Sequence, residues 1–336
     1  MGKGKTQSNI IGVDIGDFAL KLVELEGSVI VKAVSAPLPD GFVRSGEIPS
    51  KDSMSDFIAE TAKSSGIHKG KCALSMPDSM AYFKTITVPA MTEQQLKYNL
   101  AYEFRDYVTE DKSQYFYDYA VQDFVTDENG DTREMKLFAC ACRKSVIADY
   151  KSMMRVAGFI LNSAAPTPCA YSGIIADYEK RTQTEGDYCF IDLGYGGTGI
   201  YMFNSHNYNT HRSLNISMSD IEMAIVNATG VDAHIAHSYM ESNFQGILDG
   251  GVCRDVYNAI ALEVMKAVNF YNFNNREKPL ERVHFCGGGA GIAALVNAIT
   301  DTIGLETRML SELMPPCEAG VDPSLFAKAV GIALQN

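Results

Sequence analysis

Tyr188-Cys-Phe-Ile-Asp192-Leu-Gly194-Tyr-Gly196-Gly197-Thr198-Gly-Ile-Tyr-Met-Phe203 is the stretch whose reading decides the fold. An apolar run ends in an acid, turns through glycines and leaves as a second apolar run. This predicts a β-hairpin whose loop carries Asp192, Gly194, Gly196, Gly197 and Thr198. Glycine there lets backbone N–H groups come close to a ligand. The chain opens in the same way, with Ile10-Ile-Gly-Val-Asp14-Ile-Gly16 running on into Phe18–Leu25. A third glycine loop, Cys286-Gly287-Gly288-Gly289-Ala290-Gly291, follows the short apolar run Val283–Phe285. Any one of these loops alone reads as a plain turn; three in this order point to one ligand site.

Composition narrows the class of protein. A length of 336 residues allows roughly two or three domain-sized units. With 46% apolar and 21% charged residues the chain can build ample core. Its 29 basic and 41 acidic residues give a net charge of -12, and no dense Lys/Arg cluster is present, which argues against nucleic acid as a partner. No apolar run reaches the ~18 residues that span a bilayer, and no secretory signal is visible. The eight cysteines are scattered, several within apolar runs (Cys140, Cys142, Cys189, Cys286), as expected of reduced, buried thiols in a cytoplasmic protein.

Along the chain, residues 1–9 form a polar, partly basic tail expected to be mobile; its first residues also fit the loose N-myristoylation pattern. Strands are predicted at Asn9–Ile15, Ala19–Glu26, Ser28–Val34 and Cys72–Met76, with a helix at Asp56–Ser64. From Pro89 the character changes. Thr92 and Gln95 form a capping box. Leu96, Leu100, Phe104 and Val108 behind it mark one apolar helical stripe. Tyr115–Val125 and Lys136–Cys142 read as strands joined through the Asn129-Gly130 turn. Ser145 caps a helix that ends at Gly158. Helix, hairpin and helix make an inserted unit at 89–159. Farther on, helices are expected at Ser219–Val226, Ala233–Met240, Val252 to near Tyr271, Ile292–Ile303 and Ser324–Leu334. The aromatic-amide run 269–275 reads as a helix end followed by a polar loop.

Two Asp-x-Gly hairpins facing a cleft suit a phosphate ligand, because loop amides grip phosphate oxygens as a helix N-terminus does. Aspartates would repel phosphate directly. Asp14 and Asp192 are therefore expected to hold Mg2+ through its waters, with Lys21 adding positive charge. Gly287, Gly288 and Gly289, without side chains, suit a surface lying flat against a nucleoside. The constellation implies a bound Mg–nucleotide.

These motifs resemble a known superfamily. Asp14-Ile-Gly16 with Lys21 is similar to the first phosphate loop of the actin/Hsp70/sugar-kinase group, and Asp192-Leu-Gly194-Tyr-Gly196-Gly197-Thr198 to the second. Val283–Gly291 resembles the adenosine loop, and Phe326–Ala333 the closing helix. Within that group the inserted unit resembles that of the FtsA/PilM family of cell-division and pilus-assembly proteins. The match is carried by Val88–Val108, Leu137–Val146 and Tyr150–Phe159. The resemblance implies an α/β, two-lobed actin/Hsp70-like (ribonuclease-H-like) fold with an FtsA/PilM-type inserted subdomain. The first lobe would comprise 10–88 and 160–186. The second would span 187–323, with a helical subdomain at about 219–280, and 324–336 would return to the first lobe. It also implies ATP or ADP with Mg2+ as cofactor, at Asp14, Gly16, Lys21, Asp192, Gly194, Gly196, Gly197, Thr198, Gly287, Gly288 and Gly289.

The departures from the pattern concern catalysis. Asp17 stands where the first loop carries Ser or Thr, and its carboxylate opposes phosphate charge. Leu161–Tyr171, where relatives place an acid or amide that orients water, has no Asp, Glu or Gln. Asn215-Ile-Ser217 replaces Gly-Gly, and Ala236-His237 replaces an Ala-Glu pair. Weak or absent ATP hydrolysis is expected, and no catalytic residue is assigned. The family implies a cytoplasmic scaffold of a type IV pilus or related secretion machine. It would bind the cytoplasmic N-terminal peptide of the inner-membrane protein PilN between the first lobe and the insert, with Tyr115–Tyr119 as the preferred edge. It would touch the membrane only through that partner, and homo-oligomerisation stays open. Two alternatives are kept. One is an FtsA-like filament protein that reaches the membrane itself, against which the end at Gln335-Asn336 speaks. The other is a sugar or acetate kinase, for which no substrate base is found.

Overall fold

The computed structural model describes residues 9–44 and 46–336. The tail expectation and the myristoylation pattern fall on residues 1–8, outside the described ones.

Two five-stranded sheets of the same build carry the chain. The first is ordered β3-β2-β1-β4-β8, from Ile10–Ile15 (β1), Ala19–Glu26 (β2), Val29–Pro37 (β3), Lys71–Met76 (β4) and Ile160–Pro166 (β8). The second is ordered β11-β10-β9-β12-β13, from Tyr188–Leu193 (β9), Thr198–Asn204 (β10), Asn207–Leu214 (β11), Arg282–Cys286 (β12) and Glu306–Met309 (β13). In each, three strands form an antiparallel meander, and the first then pairs in parallel with the fourth. The central strands β1 and β9 are buried almost throughout, which explains why both read as unbroken apolar runs rather than alternating ones.

Helices cover these sheets. Lys51–Ser64 (α1) begins at Ser50, whose side chain accepts from the Ser53 N–H. Lys144–Ala157 (α3) ends at Gly158, held at φ 93°. Thr167–Thr182 (α4) follows β8. The second lobe is covered by Met218–Thr229 (α5), Ala233–Ser242 (α6), Gly251–Asn274 (α7) and Ala293–Ile303 (α8). A turn at Pro323–Phe326 leads into Ala327–Leu334 (α9), which packs back on β1, β4 and α4 of the first lobe. The chain thus forms a two-lobed, actin-like α/β fold. Among the described residues, no helix is long and apolar enough to cross a membrane.

A separate three-stranded sheet, β5-β7-β6, is built from Ala81–Pro89 (β5), Tyr115–Thr126 (β6) and Thr132–Arg143 (β7). Glu93–Glu103 (α2) covers it, opened by the capping box of Thr92 and Gln95. Several local expectations change here. The helix stops one turn early, although Phe104 and Val108 are still buried with Leu96 and Leu100. The α3 helix starts at Lys144 behind Arg143, with no side-chain cap from Ser145. The strand before Pro89 lies in the insert's sheet, whereas α3 packs Tyr150, Met153 and Met154 into the first lobe's core with Met54 and Ile58 of α1. Sheet pairing thus joins Ala81–Pro89 to the hairpin of the insert expected at 89–159, while α3 shares the first lobe's core. The run 269–275 also differs, since the helix continues through Asn274.

Candidate functional site

A cleft of about 930 Å³ opens between the lobes, and the glycine loops meet in it. Asp14 sits near the end of β1, opposite Lys21 on β2 and Ser75 on β4. Asp192 holds the matching place on β9, opposite Gly199 and Cys286. Asp14, Gly16, Lys21, Asp192, Gly194, Gly196, Gly197, Thr198, Gly287 and Gly288 all line the cleft. Gly289 does not. It is buried, and a Cβ there would come within 2.8 Å of Leu193 and 3.2 Å of Met218. Gly287 takes φ +82°, and its Cβ would lie 2.5 Å from Asp192 Oδ1, so this loop braces the second one.

The loops are tightly tied. The Gly16 N–H donates to the Ala19 carbonyl at 3.0 Å, and the Gly194 N–H to the Gly197 carbonyl at 3.1 Å. The buried Thr198 hydroxyl donates to the Ile216 carbonyl at 2.9 Å and so fastens the hairpin to the segment before α5. Asp17 reaches across to the second loop: a Cβ on Gly196 would lie 2.3 Å from its Oδ2. A phosphate between these loops would meet that carboxylate.

The site also contains groups that motif reading missed. Lys328, in the first turn of α9, puts its ammonium 3.3 Å from Asp192 Oδ2 and 4.0 Å from Asp14 Oδ1. Desolvation alone would lower its pKa, but Asp14, Asp192 and Asp78 outweigh that and hold it well above the usual lysine range. Asp78 accepts from the Thr167 N–H at the start of α4 at 3.0 Å and from the Tyr201 hydroxyl at 2.8 Å. An acid therefore stands beside the acid-free Leu161–Tyr171 segment, supplied from another loop. Burial pushes the Tyr171 and Tyr201 phenols well above their ordinary range, and the Tyr171 hydroxyl lies 3.3 Å from Cys286 Sγ.

At the other end, His237 Nδ1 is 2.8 Å from Glu222 Oε2, and the Tyr195 hydroxyl donates to Glu222 Oε1 at 3.0 Å. Burial, reinforced by Glu222, raises the Tyr195 phenol to about 12. Phe18 of the first lobe reaches the second, its ring tilted against those of His237 at 4.2 Å and Tyr195 at 4.9 Å. Glu222 on α5 thus holds both His237 and Tyr195 from behind, without lining the cleft itself.

The residues present fit a hydrated Mg2+ poorly. An ammonium already stands between the carboxylates, and like charges ~4 Å apart repel by about 4 kcal/mol per unit pair at an effective dielectric of 20, doubled for a divalent ion. Among the described residues, no group of three or more His, Cys, Asp or Glu is arranged to hold a metal ion.

A family model for the type IV pilus assembly protein PilM matches residues 12–318. The chain belongs to the PilM family. Among solved structures, the PilM-PilN type IV pilus biogenesis complex superposes with a TM-score of 0.82 at 20% identity, covering 98% of each chain. The ethanolamine utilization protein EutJ from Carboxydothermus hydrogenoformans gives 0.62 at 15% identity, over 99% of this chain and 92% of that one. Ta0583, an archaeal actin homolog, gives 0.51 at 13% identity, over 97% and 98%. A comparison with curated proteins found no match. In this member of the PilM family, the one sequence signal for Lys328 is a lone lysine in the otherwise apolar run Leu325–Leu334. Nothing in its spacing points to Asp14 and Asp192, which lie far away along the chain.

Proposed function

We propose that the chain is a cytoplasmic, actin-like scaffold of a type IV pilus or related secretion machine. It binds an adenine nucleotide in the interlobe cleft, with weak or no hydrolysis, and holds the cytoplasmic N-terminal peptide of a PilN-like inner-membrane protein on the insert. Family membership supports the assembly role. The likeness to a PilM solved together with PilN supports the choice of partner.

The observation that carries the peptide reading is the insert's edge. Among the described residues β6 pairs only with β7, so its other side offers backbone groups to an added strand. The tyrosines of β6 do not form the contact face. Tyr115 is buried and Tyr117 and Tyr119 pack on the insert core, while Phe116 points outward, 52% exposed, with the Lys144 ammonium over its ring. The helix that Lys144 begins supplies Val146, Tyr150 and Met153 to a groove of about 260 Å³ shared with Ile48 and Met80. This groove lies on the first lobe, beside Met80, which precedes β5, and the start of α3, which follows β7. Exposed Asp118 and Asp123 on β6, with the net charge of -12, favour a peptide carrying basic residues.

Calorimetry with a synthetic peptide from the cytoplasmic N-terminus of the PilN-like protein tests this. Phe116→Asp and Val146→Glu are expected to weaken binding by about tenfold or more. Binding at wild-type strength in both variants would refute the assigned surface. Steady ATP turnover at ~1 s⁻¹ or faster would refute the non-catalytic part.

A further inference from the structure

We infer that Lys328 is a resident cation that replaces the divalent ion between Asp14 and Asp192, so that this cleft takes its phosphate-bearing ligand without a metal. The inference rests on the nucleotide reading above for the identity of the ligand, but not for the cation itself.

Three observations carry it. The ammonium stands 3.3 Å from one carboxylate and 4.0 Å from the other, so it meets both of the charges that a hydrated ion would meet. Its place on the helix is also electrostatically unfavourable, because a cation in the first turn faces the positive end of the backbone dipole. Asp14 and Asp192, 4% and 8% exposed, supply the compensating charge. Finally, the helix that carries it cannot move aside easily. A Cβ on Gly12 would lie 1.9 Å from the Ala329 carbonyl oxygen, and one on Gly331 would lie 2.0 Å from that of Ala170, so α9 sits on β1 and α4 at backbone contact. With the helix fixed, a divalent ion could displace the ammonium only by turning the Lys328 side chain away from both carboxylates.

The chemistry that follows is charge neutralisation. Lys328, with Lys21 on the same cleft wall, faces a ligand phosphate with single positive charges, and a lysine can donate up to three hydrogen bonds to its oxygens. Neither lysine supplies the Lewis acidity of a metal, which agrees with a binding site rather than a hydrolytic one.

Manganese binding by the full chain, followed by electron paramagnetic resonance without nucleotide, decides the cation question. The wild-type chain is expected to bind no Mn2+ at the cleft, and Lys328→Met to gain one ion that is lost again when Asp192→Asn is added. A wild-type ion lost in Asp192→Asn alone would overturn the inference, and this result needs no folded Lys328 variant. Calorimetry with ADP forms the second arm. Wild-type affinity is expected to agree within about threefold in EDTA and in magnesium, and Lys328→Met to fall by about tenfold in EDTA and recover with magnesium. A tenfold loss for the wild-type chain in EDTA would overturn the inference. Absence of ADP binding under both conditions would remove the nucleotide reading while the manganese result still decided the role of Lys328.

Discussion

Replacing Gly331 by Ala separates two effects of opposite sign. Within a helix, alanine is favoured over glycine by roughly 1 kcal/mol. Gly331, however, sits where α9 crosses α4. Its added Cβ would meet the Ala170 carbonyl oxygen at 2.0 Å, and that is backbone, which cannot rotate away. A Cβ on Gly173 of the other helix would likewise lie 2.1 Å from the Gly331 carbonyl oxygen, so neither side has slack. Reaching even a tight contact requires α9 to withdraw by about 1 Å, and a gap of that size forfeits roughly a quarter to a half of each dispersion contact. The contacts at risk belong to Ala329, Val330, Ile332 and Ala333, all buried. Overpacking of this kind costs about 3 kcal/mol, so the expected net loss is about 2 kcal/mol. At roughly 2–4 °C per kcal/mol, the melting temperature should fall by about 4–8 °C. Withdrawal should also draw Lys328 away from Asp192. Thermal and urea unfolding, monitored by circular dichroism, measure the effect. Gly251→Ala serves as the control, since nothing lies within 4 Å of its added Cβ. A Gly331→Ala protein as stable as the wild type, or more stable, would show that helix propensity wins and that the crossing is not tightly packed.

Two further substitutions test the charges. Asp17→Ser should tighten nucleotide binding, because a carboxylate ~4 Å from phosphate costs on the order of 1–4 kcal/mol and the hydroxyl can donate instead; calorimetry showing unchanged or weaker affinity would mean that Asp17 does not face the phosphate. His284 is buried in β12, its Nδ1 lacks a partner, and desolvation pushes its pKa down to about 4 from 6.5. The unfolded chain takes up this proton near pH 6.5 and the folded chain only near 4, so stability falls as pH drops through that window and levels off below it. The gap is worth on the order of 3 kcal/mol. His284→Gln should flatten the dependence of the urea midpoint on pH between 6.5 and 4, and an undiminished slope would assign it to other groups.

Much of the lobe architecture was legible because its signals are local. Asp14 and Asp192 each end an apolar run and are followed by glycines, and the turns they predict require only neighbouring residues. The capping box at Thr92 and the glycine stop at Gly158 are equally local, and both stand where expected. Less legible were β8 and β5. Ile160-Leu-Asn-Ser-Ala-Ala-Pro166 has weak strand character of its own and is a strand because β4 offers it a partner. Ala81–Pro89 belongs to the insert because it pairs with β7 along nearly its whole length, a long-range pairing that no pattern within it announces.

Two repeated hairpins, three glycine loops and an inserted unit could be read from adjacent residues, because backbone conformation there is local; the fold class followed from their resemblance to a known superfamily. The charge in and around the cleft, by contrast, is set by long-range contacts. Lys328, Asp78 and Glu222 come from three separate elements, and each meets its partners only after folding: Lys328 at Asp14 and Asp192, Asp78 at Thr167 and Tyr201, Glu222 at Tyr195 and His237. Coulomb interaction depends on distance through space, and distance along the chain carries no record of it.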